Sequence, residues 1–150
     1  MGSSIAKKYW MALTGLFLMV FLVVHVSGNL QLLDLSAEGQ AAFNEYTLFM
    51  TTFPLIKIVS YLLYASILFH AIEGIYLTIQ NRKARPVGYK NYKPNRSSAW
   101  SSRNMGLLGT LVLAFIIMHM SQFWYTYKWG SIPMTMVDGE KIKDMSTSGD

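Results

Sequence analysis

Three long apolar stretches, separated by polar or charged segments, dominate the chain. They cover about residues 9–30, 54–79 and 105–127. Each stretch is close to the roughly 20 mainly apolar residues that an α-helix needs to cross the hydrocarbon core of a bilayer. The pattern therefore predicts an all-α membrane protein with three transmembrane helices arranged up and down as one domain.

The first stretch follows Lys7 and Lys8, a combination that also occurs in cleaved signal peptides. However, the stretch is longer than the usual apolar core of about 7–15 residues in a signal peptide, and it has no A-x-A-like end. We therefore expect a retained helix. We also expect a short interfacial helix in the first connection, around residues 37–46, and a polar tail over residues 130–150.

The two connections differ in charge. The second connection, about residues 80–104, holds the basic residues Arg82, Lys83, Arg85, Lys90, Lys93, Arg96 and Arg103. The first connection holds Asp34, Glu38 and Glu45 and has no lysine or arginine. Because loops rich in lysine and arginine stay in the cytoplasm, we expect the basic loop and the N-terminus to be cytoplasmic, in a bacterial inner membrane. The net charge of +5 is then a sign of topology, and no nucleic-acid partner is expected.

Composition narrows the chemistry that the chain can perform. The chain is 52% hydrophobic and contains no cysteine. A disulfide scaffold and a thiolate metal site are therefore excluded. Ligation of heme by histidine remains open.

The chain has three histidines, and each lies in a different predicted span: His25, His70 and His119. A single histidine on an apolar helix is more often a hydrogen-bonded core residue than a ligand. Ionisable groups within spans are nevertheless costly, and they tend to face the interior of a bundle and to have a function. Three histidines in three spans favour ligation.

The depths of the histidines suggest how they pair. At a rise of 1.5 Å per residue, His25 and His119 lie ~22 Å and ~21 Å from the inner ends of their helices, whereas His70 lies ~14 Å from its own. We therefore expect His25 and His119 to be the two axial ligands of a b-type heme. His70 lies at the depth of a second heme, and its partner is either missing from the chain or supplied by another chain.

Glu73 is the one acidic residue within a span, one helical turn from His70. Two interpretations remain open for it. It could relay protons or meet a cation at a heme edge, or it could extend to Arg82 or Lys83 at the inner end of the helix, ~9 Å away.

Five motifs together resemble one family. They are HVSGNL around His25, FHAIEGIYL around His70, RKARPVGY at the start of the basic loop, and SSRNMGLLG followed by IIMHMSQFW around His119. From the first helix to about Trp129, the chain is similar to the cytochrome b membrane-anchor subunit of succinate dehydrogenases and fumarate reductases, of the single-anchor, two-heme b558 type.

The resemblance implies five helices and four heme-ligating histidines. His25 and His119 would hold the heme distal to the catalytic subunits, and His70 would supply one ligand of the proximal heme. The fourth and fifth helices and their histidine have no counterpart in this sequence, so we expect a C-terminally shortened chain.

The resemblance also implies partners and a pathway. A flavoprotein and an iron–sulfur protein on the cytoplasmic face would pass electrons from succinate through the hemes to a membrane quinone, often menaquinone, and the anchor itself would contain no succinate chemistry. Heme propionates are candidate partners for the basic residues Arg82, Lys83, Arg85 and Arg103. Glu45 is by default a solvated acid, and quinone protonation is its alternative role.

The sequence is also compatible with two other functions. A heme-free membrane protein, serving interaction or transport, would use its histidines to line a polar path. A cytochrome b anchor of a hydrogenase or formate dehydrogenase would share the paired-histidine design, but the HVSGNL and HAIEGIYL stretches favour the succinate type.

Overall fold

A computed structural model of the chain describes residues 4–84, 86–87, 98–137 and 139–144. Within these ranges, three helical segments are long and apolar enough to cross a membrane, and we call them the first, second and third spans. They are Ile5–Leu33, Pro54–Lys83 and Met105–Trp129. At most 6% of the most apolar window of each span is buried inside the chain, so most of these side chains are available to lipid. The predicted all-α membrane bundle is confirmed.

The first span and the helix after it are joined by a tight turn. The α-helix Ser4–Asn29 continues as a 3₁₀ helix over Leu30–Leu33. The connecting helix then covers Ala37–Thr52, six residues beyond the predicted end. Its N-cap is Ser36, whose Oγ accepts a hydrogen bond of 3.0 Å from the Gly39 backbone N–H. Hydrogen bonds from the Ser36 hydroxyl and backbone N–H hold the pKa of Asp34 below its ordinary value.

Gly39→Ala should weaken this turn. A Cβ on the buried Gly39 would lie 2.4 Å from Asp34 Cγ and 2.7 Å from the Asp34 backbone oxygen, so the backbone itself would have to move. We expect a loss of about 1–3 kcal/mol in the free energy of unfolding, the usual cost of overpacking. Equilibrium unfolding in detergent measures it. Gly109→Ala is the matched control, because no atom lies within 4 Å of the added Cβ and alanine favours the helix. Equal stabilities of the two variants would contradict this account of the turn.

The first and second spans pack along one seam. Near one end, the Lys7 ammonium lies 4.8 Å from the centre of the Tyr76 ring. Further along, Thr14 contacts His70, and Gly74 lies on the same stretch of the second span. The two contacting residues of the first span are seven positions apart, which is two helical turns and therefore places them on one face. At both places, the seam brings a polar side chain of the first span against a ring of the second span.

The second and third spans meet at two places. At one, a Cβ on Gly106 would lie 3.0 Å from Cγ2 of Thr78, so the helices approach closely there. At the other, the indole Nε1 of Trp124 donates a hydrogen bond of 2.9 Å to the hydroxyl of Tyr64. These contacts fix how the third span lies against the second.

The third span is not a uniform α-helix. An α-helix over Met105–His119 passes directly into a π-helix over Met120–Tyr125, and a last α-helical turn covers Thr126–Trp129. In a π-helix the backbone bonds join residues five positions apart, and such segments are rare and frequent at functional sites. The irregular segment therefore begins immediately after His119.

The segment after the third span forms a β-hairpin, where the sequence pattern predicted only a polar tail. Strand β1, Met134–Val137, pairs antiparallel with strand β2, Glu140–Lys143. Gly139 takes a φ of 81° in the turn, a conformation that glycine adopts without strain. Asn44 of the connecting helix donates a hydrogen bond of 3.0 Å to Asp144, so the hairpin end is tied to that helix. Residues 138 and 145–150 of the tail lie outside the described residues.

Candidate functional site

The side chains of His25 and His119 meet between the first and third spans. Their ring centroids are 5.7 Å apart and the ring planes are nearly perpendicular, at 87°. Both side chains are half-buried. The structure therefore brings together the two histidines that the depth argument placed at one level.

Each imidazole of the pair packs against phenylalanine rings of its own helix. Phe21 stacks on His25 at 5.2 Å, and Phe115 stacks on His119 at 5.5 Å. Phe123 lies 4.8 Å from His119 on its other side along the helix. Each phenylalanine is four residues from its histidine, the spacing that places two side chains on one helix face. The histidine pair thus lies in an apolar, aromatic environment.

The ring nitrogens of the pair have no hydrogen-bond partner in the described part of the chain. Among residues 4–84, 86–87, 98–137 and 139–144, no side chain or backbone group hydrogen-bonds to a ring nitrogen of His25 or His119. A neutral imidazole carries one N–H and one nitrogen lone pair. Leaving such groups unpaired in apolar surroundings costs free energy. The pair is therefore chemically suited to an external ligand.

The spacing of the pair fits two axial ligands of one heme iron. Metal–imidazole bonds of about 2.0–2.1 Å on opposite sides of a metal ion would separate the ring centroids by roughly 6 Å. The observed separation is 5.7 Å. In the described part of the chain, no cluster of three or more His, Cys, Asp or Glu side chains could hold a metal ion. A heme needs only two protein ligands, because its porphyrin supplies the others.

His70 lies at a different depth from the pair of His25 and His119. Its Nδ1 lies 3.0 Å from Oγ1 of Thr14 on the first span. Thr14 lies 11 residues before His25 in the same helix, so the His70 level is ~16 Å along the helix axis from the pair. The structure does not bring His70 to the other two histidines, and the sequence contains no fourth histidine.

The acidic candidates have different surroundings. Glu73 is half-buried, and its Oε2 is buried without a hydrogen-bond partner among the described residues. Within the same ranges, no ion pair joins Glu73 to Arg82 or Lys83. Glu45 is exposed on the connecting helix. The roles predicted for these acids in proton or quinone chemistry stay predictions.

The basic loop lies largely outside the described residues. Four of its predicted cations fall there: Arg85, Lys90, Lys93 and Arg96. Of the others, Arg82 and Lys83 are exposed at the end of the second span, and Arg103 donates a hydrogen bond to the Ser98 carbonyl oxygen. Binding of heme propionates by these cations remains a prediction.

Thr14 and the phenylalanines beside the histidines were not among the site residues predicted from the sequence. The phenylalanines had a readable signal, since aromatic residues occur four positions from both histidines of the pair. Thr14 had none, because a hydroxyl residue in a span most often bonds to its own helix. A Cβ at Gly15, beside Thr14, would lie 3.2 Å from Cε1 of His70, so the first span approaches that ring closely.

Comparison with known proteins gives one family. No curated protein and no solved structure matches the chain. The model of the succinate dehydrogenase/fumarate reductase transmembrane subunit family matches residues 9–113. This range covers well over half of the 150 residues and includes His25 and His70, whereas His119 follows it. The chain therefore belongs to the family of succinate dehydrogenase/fumarate reductase transmembrane subunits, as its motifs predicted.

Proposed function

We propose that this chain is the heme b-binding membrane anchor of a succinate:quinone oxidoreductase, and that it passes electrons between an iron–sulfur subunit and a membrane quinone. One observation carries the heme assignment. The ring centroids of His25 and His119 lie 5.7 Å apart, beside phenylalanine rings, and no group in the described part of the chain hydrogen-bonds to their ring nitrogens. Membership of the family supplies the succinate and quinone context.

In this proposal, His25 and His119 would be the two protein ligands of the heme iron, and Phe21, Phe115 and Phe123 would keep water from them and hold the ring orientations. A bound heme would supply a one-electron redox centre, whose potential depends on its axial ligands and on the polarity around it. The protein's contribution is to fix two imidazoles at one depth on two separate helices.

His70 is assigned to the second heme of the family, ~16 Å along the first span from the pair. A histidine opposite it would have to come from outside these 150 residues, because the three histidines of the sequence are then all assigned. Two redox centres at different depths would allow electrons to cross part of the bilayer between the two faces.

The orientation and the partners follow from charge. With lysines at the N-terminus and the basic second connection in the cytoplasm, the iron–sulfur and flavoprotein subunits would dock on that face of a bacterial inner membrane. The His70 level would then be the one nearer the cytoplasm. The candidates for proton transfer to quinone are Glu45, which is exposed, and Glu73, whose Oε2 has no hydrogen-bond partner among the described residues.

The heme assignment is tested by the optical spectrum of the chain purified from native membranes together with its bound subunits. We expect a dithionite-reduced minus oxidised spectrum of the b type, and a pyridine hemochrome assay that gives at least one heme per chain. The chain purified alone is the comparison that shows which heme it retains without partners. A colourless complex would exclude the proposal and would favour a heme-free membrane subunit.

A further inference from the structure

Thr14 is the most buried side chain of the first span that carries a polar group, with 6% of its surface exposed. Its hydroxyl has three neighbours at hydrogen-bond distance. Two are backbone carbonyl oxygens of its own helix, of Trp10 at 3.0 Å and of Met11 at 3.2 Å. The third is Nδ1 of His70 on the second span, at 3.0 Å.

The number of hydrogens limits how these contacts can be shared. A threonine hydroxyl has one hydrogen to donate and two lone pairs to accept with. Within a helix, that hydrogen usually goes to the carbonyl oxygen three or four residues earlier, which here is Met11 or Trp10. The third contact can then be a hydrogen bond only if His70 donates from Nδ1.

The opposite arrangement leaves a donor without a partner. If Thr14 donated to Nδ1, the neutral ring of His70 would carry its hydrogen on Nε2. Among the described residues, no acceptor lies within hydrogen-bond distance of Nε2. An N–H without an acceptor in an apolar span is costly, so the hydrogen is better placed on Nδ1.

Gly15 explains how the ring edge comes close enough to the first span. A Cβ at Gly15 would lie 3.2 Å from Cε1 and 3.9 Å from Nδ1 of His70. The Nδ1–Cε1 edge therefore rests against Thr14 and Gly15 together. Nε2 is the ring nitrogen of His70 that has no hydrogen bond among the described residues.

We infer that Thr14 is a positioning residue, which holds His70 in the tautomer that carries its hydrogen on Nδ1 and so keeps the Nε2 lone pair free for a metal ion. Histidines that bind metals usually donate their other N–H to a fixed acceptor, which orients the ring and raises its basicity. The tautomer of His70 is inferred from these contacts without reference to the metal. The identity of the metal as the iron of a second heme rests on the proposed function.

The tautomer is measured on the full chain, heme-free and in detergent, by nitrogen-15 magnetic resonance of labelled histidine, with His70→Gln to assign the signal. We expect the Nδ1–H form in the wild type and in Thr14→Ser, which retains the hydroxyl. Thr14→Val has nearly the same shape and no acceptor, and should shift His70 toward the Nε2–H form. The signals of His25 and His119 should not change.

Two results would overturn the role of Thr14: a wild-type His70 in the Nε2–H form, or the same tautomer in wild type and Thr14→Val. The first depends on no variant and remains decisive if Thr14→Val fails to fold.

Heme retention tests the assignment of the metal. In the complex with its partner subunits, Thr14→Val should weaken binding of the heme that depends on His70 by about 10–100-fold, the usual effect of removing such a partner, and Thr14→Ser should not. A changed tautomer with unchanged heme affinity would overturn the assignment to heme. A complex without any heme would contradict the proposed function, while the tautomer would still decide the role of Thr14.

Discussion

His25→Ala and His119→Ala are each expected to remove the heme held by the pair, whereas His70→Ala should leave that heme in place. The two imidazoles lie 5.7 Å apart at one level, so in the proposed arrangement either substitution would remove one of the two protein ligands of the same heme iron. Removing a mere hydrogen-bond partner of a ligand already costs about 10–100-fold in metal affinity, so losing the ligand itself should reduce heme content by more than that. Pyridine hemochrome assays on the purified chain and on the complex measure heme content.

The comparison among the three histidine variants shows whether His25 and His119 hold the same heme and His70 does not. Phe21→Leu is the matched control, since it changes the ring that stacks on His25 without removing a ligand. We expect it to retain heme. Addition of free imidazole to His25→Ala should restore part of the signal, because the small residue leaves space where the ring was. A signal that survives loss of either member of the pair, or that disappears equally with His70, would contradict the pairing.

Gly15→Val should separate the first and second spans. A Cβ at this position would lie 3.2 Å from Cε1 of His70, and the two further methyl groups of valine add volume in the same direction. Because the ring is held by Thr14 on one side and by its own helix on the other, it has little freedom to move away. We expect a loss of about 1–3 kcal/mol in the free energy of unfolding, as for other overpacked sites. Equilibrium unfolding in detergent measures it.

Gly109→Val provides the comparison for Gly15→Val. No atom lies within 4 Å of a Cβ at Gly109, so the same substitution on the third span meets open space. We expect its effect to stay within about 0.5 kcal/mol, as for other exposed sites. If both valine variants lost the same stability, helix propensity would explain the loss, and close packing against His70 would not.

The sequence was sufficient to predict the three spans and the common depth of His25 and His119, because both follow from distances along a helix. The thickness of a bilayer sets the minimum length of an apolar helix. The fixed rise of an α-helix then converts position in the chain into depth, which placed His25 and His119 at one level. Their rings could meet only if both helices also turned the correct face inward, and the depth argument did not address that rotation.

Rotation about the helix axes could not be read from the pattern, since the spans are apolar on all sides. A helix surrounded by lipid lacks the polar stripe that marks the exposed face of a helix in a soluble protein. The contacts of Thr14 with His70 and of Trp124 with Tyr64 are set by this rotation. The hairpin was missed for another reason, because its strands, Met134–Val137 and Glu140–Lys143, have only four residues each and the second contains three charged residues.

The π-helix over Met120–Tyr125 has a consequence for how the third span can change during evolution. Each residue of an α-helix turns the chain by about 100°, so one additional residue would normally rotate everything that follows it. A π-helix accommodates such a residue within a single wide turn. His119 precedes this adjustment and Trp129 follows it, so these two side chains can each be oriented independently of the other. Insertions or deletions of one residue are therefore best tolerated between them.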